Sequence, residues 1–153
     1  MPFEETMSSR ARLIAYWVTT GVLCLGMAAG GTAQVLHARF SVDGMIHLGY
    51  PLYVMTIVGL WKVCGVAVLL APGLQLMKEW AYAGFFFLLS GAVASHIASG
   101  DDFSGWVGPL VHTCLTVASW WLRPAERRLP ASRLAEPRAH GQVELALSRD
   151  PVS

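Results

Sequence analysis

A lysine stands near the middle of the most apolar stretch of the chain, and it is the first residue whose position suggests chemistry. Lys62 is the only charged residue among the 22 residues of the stretch 50–71. About 20 apolar residues cross a bilayer core of roughly 30 Å, and an ammonium group near its centre costs about 3 kcal/mol. We therefore expect Lys62 to have a partner inside the protein. Either it anchors an anionic or quinone-like ligand, or it is a structural lysine bonded to helix carbonyls, Thr19, Thr20 or Ser90.

The residues that share a helical face with Lys62 indicate where that face points. At about 100° per residue, the face also holds Met55, Val58, Gly59, Gly65, Val66 and Leu69. Glycines let a neighbouring helix approach closely, so we predict that this face points into the bundle. Trp61 lies next to Lys62 in the sequence. Core packing is the simplest interpretation of Trp61, and a cation–π contact or stacking on a ligand is the alternative.

His96, His112 and Asp101 form a second group of candidate residues. Imidazole groups bind metals and carry protons. Counting along the helices at about 1.5 Å per residue places both histidines in the same half of the bundle, with Asp101 near His96. We predict a pocket that opens outward, with Lys62 at its floor, and that suits a small ligand with polar and aromatic parts. The alternative is that these side chains bond across helices or lie solvated at the interface. The histidine spacings do not suggest a metal, so none is expected.

Composition excludes several other classes of protein. Hydrophobic residues make up 54% of the chain and charged residues 14%, which argues against a soluble domain. We find no Gly-rich phosphate loop, no nucleophile elbow and no carboxylate pair, and we expect no nucleic-acid partner. Each of the three cysteines, Cys24, Cys64 and Cys114, lies in an apolar run without a CxxC spacing, so a paired-cysteine redox site is not expected.

Four apolar segments must position the candidate residues, and each is long enough to span a bilayer as a helix. They are residues 13–33, 50–71, 79–98 and 106–122, and Pro72-Gly73 is predicted to end the second helix in a turn. The first contains Gly26-xxx-Gly30, a spacing typical of closely packed spanning helices. A short helix capped by Ser41 is predicted between the first two spans, in the membrane interface. The predicted fold is an all-α polytopic membrane protein, a four-transmembrane-helix bundle with a short interfacial helix after the first span.

The distribution of basic residues predicts the orientation. With the N-terminus inside, the cytoplasmic segments hold eight basic residues and the outer loops hold only Arg39. Cytoplasmic loops carry an excess of Lys and Arg, so both termini are expected in the cytoplasm. We therefore divide the chain into a cytoplasmic N-terminus (1–12), a membrane domain (13–124) and a disordered cytoplasmic tail (125–153).

Several short motifs, taken together and in this order, resemble the DoxX-like family. They are the tract HLGYPLY, the pair Trp61-Lys62, the run KEWAYAGF that begins at Lys78, and Ser95-His96 with Gly100-Asp101. The resemblance covers residues 13–124 and implies a four-helix protein of the bacterial inner membrane. Family members often carry a lysine at the position of Gln34 and an acidic residue near Leu88, and this chain is neutral at both.

Two functions follow from the resemblance and the residues, and both stay open. The family is named for a subunit linked to thiosulfate:quinone oxidoreduction, and some members look like partners of redox enzymes. The first hypothesis is therefore a membrane subunit or anchor for redox enzymes, with a quinone-like ligand near Lys62. The second is a non-catalytic membrane interaction or assembly protein whose polar core is structural. The implied partners are the lipid bilayer and a redox enzyme or another membrane protein.

Overall fold

The computed structural model describes residues 9–129, and the elements it defines in this range are all helical, as predicted. In chain order they are α1 (Ser9–Val35), α2 (Arg39–His47), α3 (Leu52–Leu70), α4 (Gln75–Ala98), α5 (Phe103–Leu122) and a 3-10 turn, Ala125–Arg127. Most of the predicted N-terminal segment (1–12) and of the predicted tail (125–153) lies outside the described residues. The 3-10 turn falls within the segment 125–153, where we expected the tail to begin, so defined structure continues past residue 124.

Three of these helices, α1, α3 and α4, are long and apolar enough to cross a membrane. A helix pairs its backbone N–H and C=O groups internally, which a chain in hydrocarbon requires. The fifth helix has 20 residues, enough for a span, but it contains Pro109 and His112 and several hydroxyl side chains. Helix α5 is not among the three candidate spans, and its membrane crossing stays a prediction.

The four long helices form a closed ring. Helix α1 packs against α3 and α5, α3 packs against α4, and α4 packs against α5, while α2 contacts α3 and α1. The core of the ring is formed by Leu23, Cys24, Met27, Val66, Leu69, Tyr82, Phe85 and Leu89. The predicted inner face of α3 is confirmed, because its buried residues are Met55, Gly59, Gly65, Val66 and Leu69.

The closest approach of α1 and α3 occurs at two glycines. A Cβ atom built on Gly31 would lie 2.8 Å from the carbonyl oxygen of Gly59, and one built on Gly59 would lie 2.8 Å from the carbonyl oxygen of Gly31. The sequence had pointed to Gly26 and Gly30 instead. Gly26 does face a neighbour, His112 of α5, but a Cβ on Gly30 would meet nothing within 4 Å. Of the Gly26-xxx-Gly30 motif, only Gly26 therefore lies at a helix contact, and that contact is with α5.

The connections between helices are short and differ from the predictions in detail. Helix α2 follows Ala38 and begins at Arg39, so Ser41 lies inside it and does not cap it. The turn between α3 and α4 is confirmed at Pro72-Gly73. There Gly73 (φ 66°) and Leu74 (φ 52°) both adopt the left-handed conformation, which reverses the chain within a few residues.

Candidate functional site

Asp101 is the centre of a polar cluster at the end of the ring that contains α2 and the α4–α5 loop, which we call the histidine end. His96 Nδ1–H donates to one carboxylate oxygen of Asp101 and His47 Nε2–H donates to the other, each over 2.6 Å. A carboxylate can only accept, so these ring nitrogens carry the protons. The bond from His96, and secondly the bond from His47, hold the pKa of Asp101 below its ordinary value. The cluster ties α2 to α4 and its loop.

Two further side-chain bonds join the same end of the ring. The Tyr50 hydroxyl lies 2.7 Å from the Ser95 hydroxyl, and the Thr56 hydroxyl lies 3.1 Å from His37 Nε2. Both bonds connect the segment around α2 to the long helices. The sequence singled out Asp101 and His96 but missed His47 as the second partner. The position of His47 on a short helix at the same end as an acidic loop could have indicated this partner.

His112 lies apart from the Asp101 cluster. Its Nδ1–H donates to the carbonyl oxygen of Gly108, 2.9 Å away on the preceding turn of α5, and its Nε2 faces Gly26 of α1. Within residues 9–129, His96 and His112 share no hydrogen-bond partner. The structure therefore brings His96 and Asp101 together, as predicted, and places His112 in the contact between α1 and α5.

Lys62 is half-buried where α1 and α3 are closest. Its Cβ would lie 2.9 Å from a Cβ built on Gly31, and its ammonium group has no hydrogen-bond partner among the described residues. On α1, one turn after Gly31, the Gln34 Oε1 atom is buried and also lacks a hydrogen-bond partner within residues 9–129. The hydroxyls that we had considered as acceptors have other partners: Thr19 bonds to Ala15 and Tyr16, Thr20 to Ser119, and Ser90 to Phe86 and Phe87.

Trp61 lies on the outer surface of α3. Its side chain is 72% exposed, whereas the inner face of the helix is buried. The expected core packing of Trp61 is therefore wrong. An exposed indole on a membrane helix faces lipid or another protein.

A second polar network occupies the opposite end of the ring, which we call the basic end: the start of α1, the α3–α4 turn and the end of α5. Lys78 is fully buried there, and its ammonium group donates to the carbonyl oxygens of Ala71 and Gly73, the second over 2.6 Å. Arg127 donates to the carbonyl oxygen of Leu69 over 3.0 Å. The last carbonyl groups of a helix lack partners within it, so these two cations complete the end of α3.

Glu79 connects α4 to the end of α5. One of its carboxylate oxygens accepts from Arg123, which is 3% exposed, and the other accepts from Trp120 Nε1–H over 2.8 Å. Deeper in the ring, the Ser119 hydroxyl lies 2.8 Å from the Tyr82 hydroxyl and 2.6 Å from that of Thr20. The sequence treated Lys78 and Arg123 only as topological charges. The position of Arg123 opposite Glu79 across the α4–α5 pair was the missed signal.

Two cavities are prominent in the described part of the chain, and neither is lined by Lys62. One, of about 380 Å³, lies at the basic end beside Arg12, Arg123 and Arg128. The other, of about 530 Å³, is a mostly aromatic groove between α4 and α5 that begins at Glu79. No group of three or more histidine, cysteine or acidic side chains that would suit a metal ion occurs within residues 9–129.

Comparisons with known proteins agree with the membrane character of the helices. The model of the DoxX-like family matches residues 18–119, which is 102 of the 153 residues. The uncharacterized protein YdgD of Bacillus subtilis (strain 168) is 31% identical over 77 residues, covering 49% of this chain and 67% of that protein. No solved structure matches the chain significantly. The chain is a membrane protein that belongs to the DoxX-like family.

Proposed function

We propose that the protein is a non-catalytic interaction or assembly protein of the bacterial inner membrane. Its four long helices all span the bilayer, and both termini lie in the cytoplasm. The closed ring supports this arrangement, because α5 completes it by packing against both α4 and α1. The basic end supports the orientation, since Arg12, Lys78, Arg123, Arg127 and Arg128 all lie there.

The observation that carries this proposal is that most of the candidate polar side chains bond to other residues of the ring. Asp101 and His96, which suggested a ligand site, bond to each other and to His47. At the basic end, Lys78 completes the end of α3, and Glu79 bonds to Arg123. These contacts connect one helix or loop to another and stabilise the ring. The function then rests on what the folded ring binds through its outer surface.

The proposal is tested by isolating the full chain from its native membranes with its surrounding lipid, after chemical cross-linking. We expect a second membrane protein in a fixed ratio, and we expect the variant Lys62→Leu to retain it. An apolar replacement of a buried charge is often tolerated, so this variant should also remain folded. Recovery of the chain alone, with or without a bound small molecule, would contradict the proposal.

A second candidate function, a quinone-like ligand at Lys62 in an anchor for redox enzymes, is favoured by one observation. Lys62 and Gln34 are polar groups on facing turns of α1 and α3, and neither has a partner within residues 9–129. A quinone carbonyl would accept from the ammonium group, and the hydroxyl of the reduced form would donate to Gln34 Oε1.

Extraction of bound quinone from the purified protein distinguishes the two candidates. If the ligand binds at Lys62, Lys62→Leu should stay folded and lose the quinone, while Trp61→Leu, on the outer surface of the same helix, should keep it. If neither variant changes the extract, the ligand hypothesis is wrong. Loss of folding in Lys62→Leu would contradict both candidates.

A further inference from the structure

The cavity at the basic end combines features that suit an anion. It has a volume of about 380 Å³, and its lining includes Ser9, Arg12, Arg123, Glu126 and Arg128. The guanidinium groups in this lining favour an anion. Arginines are common at the ends of membrane helices, however, and do not by themselves make a site.

Arg123 supplies the second, independent observation. Its guanidinium group is 3% exposed and donates to Glu79 through Nη2, but Nε and Nη1 are buried without a partner in the described part of the chain. The Tyr82 ring lies 5.2 Å from the guanidinium carbon and covers one face of the group. The N–H groups point in the plane of the guanidinium, so the ring does not satisfy them. Buried N–H groups normally have an acceptor.

Among residues 9–129, the charges that line the cavity are not balanced. Arg12, Arg123 and Arg128 line it, and Glu126 is the one carboxylate in this described lining, while the carboxylate of Glu79 is already bonded to Arg123. Arg12 and Arg128 donate to the carbonyl oxygen of Trp121. A carbonyl group has no net charge, so these bonds hold the two arginines in place without neutralising them. Positive charge therefore remains for a ligand.

We propose that this cavity binds a phosphate group and that an anionic phospholipid supplies it. Guanidinium groups match the oxygens of a phosphate with paired hydrogen bonds. The aromatic groove between α4 and α5 favours a lipid as the source, because it begins at Glu79, the partner of Arg123. An acyl chain would lie in this groove while the phosphate takes the place beside the arginines. The proposal does not depend on which of the two candidate functions is correct.

The test measures thermal unfolding of the full chain in detergent, with phosphatidylglycerol, phosphatidylcholine or inorganic phosphate added. We expect phosphatidylglycerol to raise the unfolding temperature and the other two additions to have little effect. The double variant Arg12→Gln and Arg128→Gln should raise the phosphatidylglycerol concentration that gives half of this shift about thirtyfold, since each arginine near a membrane surface adds to the attraction of an anionic lipid. Both side chains are exposed, so the variant should fold.

Arg39→Gln is the matched control, because Arg39 is an exposed arginine at the start of α2, away from the cavity. It should respond to phosphatidylglycerol as the parent chain does. An equal loss in the control, or an equal response to phosphatidylcholine, would overturn the site. If inorganic phosphate stabilises the chain as much as phosphatidylglycerol does, the phosphate site stands and the lipid source is wrong.

Discussion

Lys78 and Lys62 show that the position of a lysine along a helix determines whether backbone carbonyl groups can accept its N–H groups. Lys78 lies near the α3–α4 turn, where the carbonyl groups of Ala71 and Gly73, just past the end of α3, accept its N–H groups. Lys62 lies in the middle of α3, where the carbonyl groups are already bonded within the helix. It faces Gly31 across a close helix contact and has no acceptor within residues 9–129. The first lysine bonds to the backbone of the fold, and the second is the one that the ligand hypothesis concerns.

Substitution of Lys78 by methionine should destabilise the protein. The change removes the charged donor to the carbonyl oxygens of Ala71 and Gly73, and loss of a hydrogen bond from a charged group costs on the order of 1.5–3 kcal/mol. The measurement is the unfolding temperature of the purified chain in detergent. Lys62→Met serves as the control, because no hydrogen bond is lost there. Equal destabilisation by the two variants would contradict our assignment of Lys78.

The Asp101 cluster should make stability depend on pH in the acid range. Because the folded state lowers the pKa of Asp101, the carboxylate stabilises the fold at pH values above the ordinary aspartate pKa of about 3.9. This contribution is lost as the pH falls through the lowered pKa of the folded state. We expect Asp101→Asn to unfold at a lower temperature than the parent chain at pH 7, and the difference to shrink below about pH 4.

Asp102→Asn is the matched control for Asp101, since Asp102 is an exposed neighbour in the same loop. It should unfold like the parent chain across the whole pH range. A difference between Asp101→Asn and the parent that already disappears between pH 7 and pH 6 would show that the carboxylate is not the titrating group.

At the scale of the elements, the ring depends on how closely α1 and α3 approach. Gly31 and Gly59 face each other, and each would place a Cβ atom 2.8 Å from the carbonyl oxygen of the other. Small residues at such a contact let two backbones pack closely, which is the main source of attraction between helices in lipid. The same close contact positions Lys62 and Gln34, so it also determines the geometry of the candidate ligand site.

Gly31→Ala should therefore destabilise the ring, while Gly30→Ala should not. The added methyl group at Gly31 meets the backbone of α3, and overpacking of this kind costs about 1–3 kcal/mol. A methyl group at the adjacent Gly30 meets nothing within 4 Å. Unfolding temperatures of the two variants compare the positions directly. A larger effect at Gly30 would mean that a different face of α1 packs against the ring.

For the whole molecule, the distribution of charge predicts how the ring sits in the membrane. Basic residues cluster where α1 begins and α5 ends, and the histidine end carries Asp101 in its loop. Basic segments remain in the cytoplasm when a membrane protein inserts. We therefore predict that the basic end lies inside and the histidine end outside, which requires α5 to cross the membrane.

Reporter fusions test this orientation. Fusions at Gly73 and after Arg128 should report the cytoplasm, and fusions at Asp43 and Asp102 should report the outside. The fusion at Asp102 is decisive, since it lies between α4 and α5. A cytoplasmic signal there would contradict the proposed orientation with four spans and both termini inside.

The sequence alone was sufficient for the features that depend on local pattern. Apolar length predicted the long helices, Pro72-Gly73 predicted the turn that separates α3 from α4, and glycine spacing identified the inner face of α3. These features could be predicted because helix formation and turn conformation depend on residues that are near one another in the chain. The motifs around Lys62 and Lys78 likewise predicted the family that the comparison found.

Only the tertiary structure decided which side chains meet. It paired Asp101 with His47 as well as His96, turned His112 toward Gly26, and placed Trp61 on the outer surface. It also showed that Lys78 is a buried bond donor at the end of α3. Periodicity determines which residues share a helical face, but not how each helix is rotated and shifted against its neighbours. Contacts between distant segments depend on that rotation and shift, and here the closest approach is at Gly31 and Gly59.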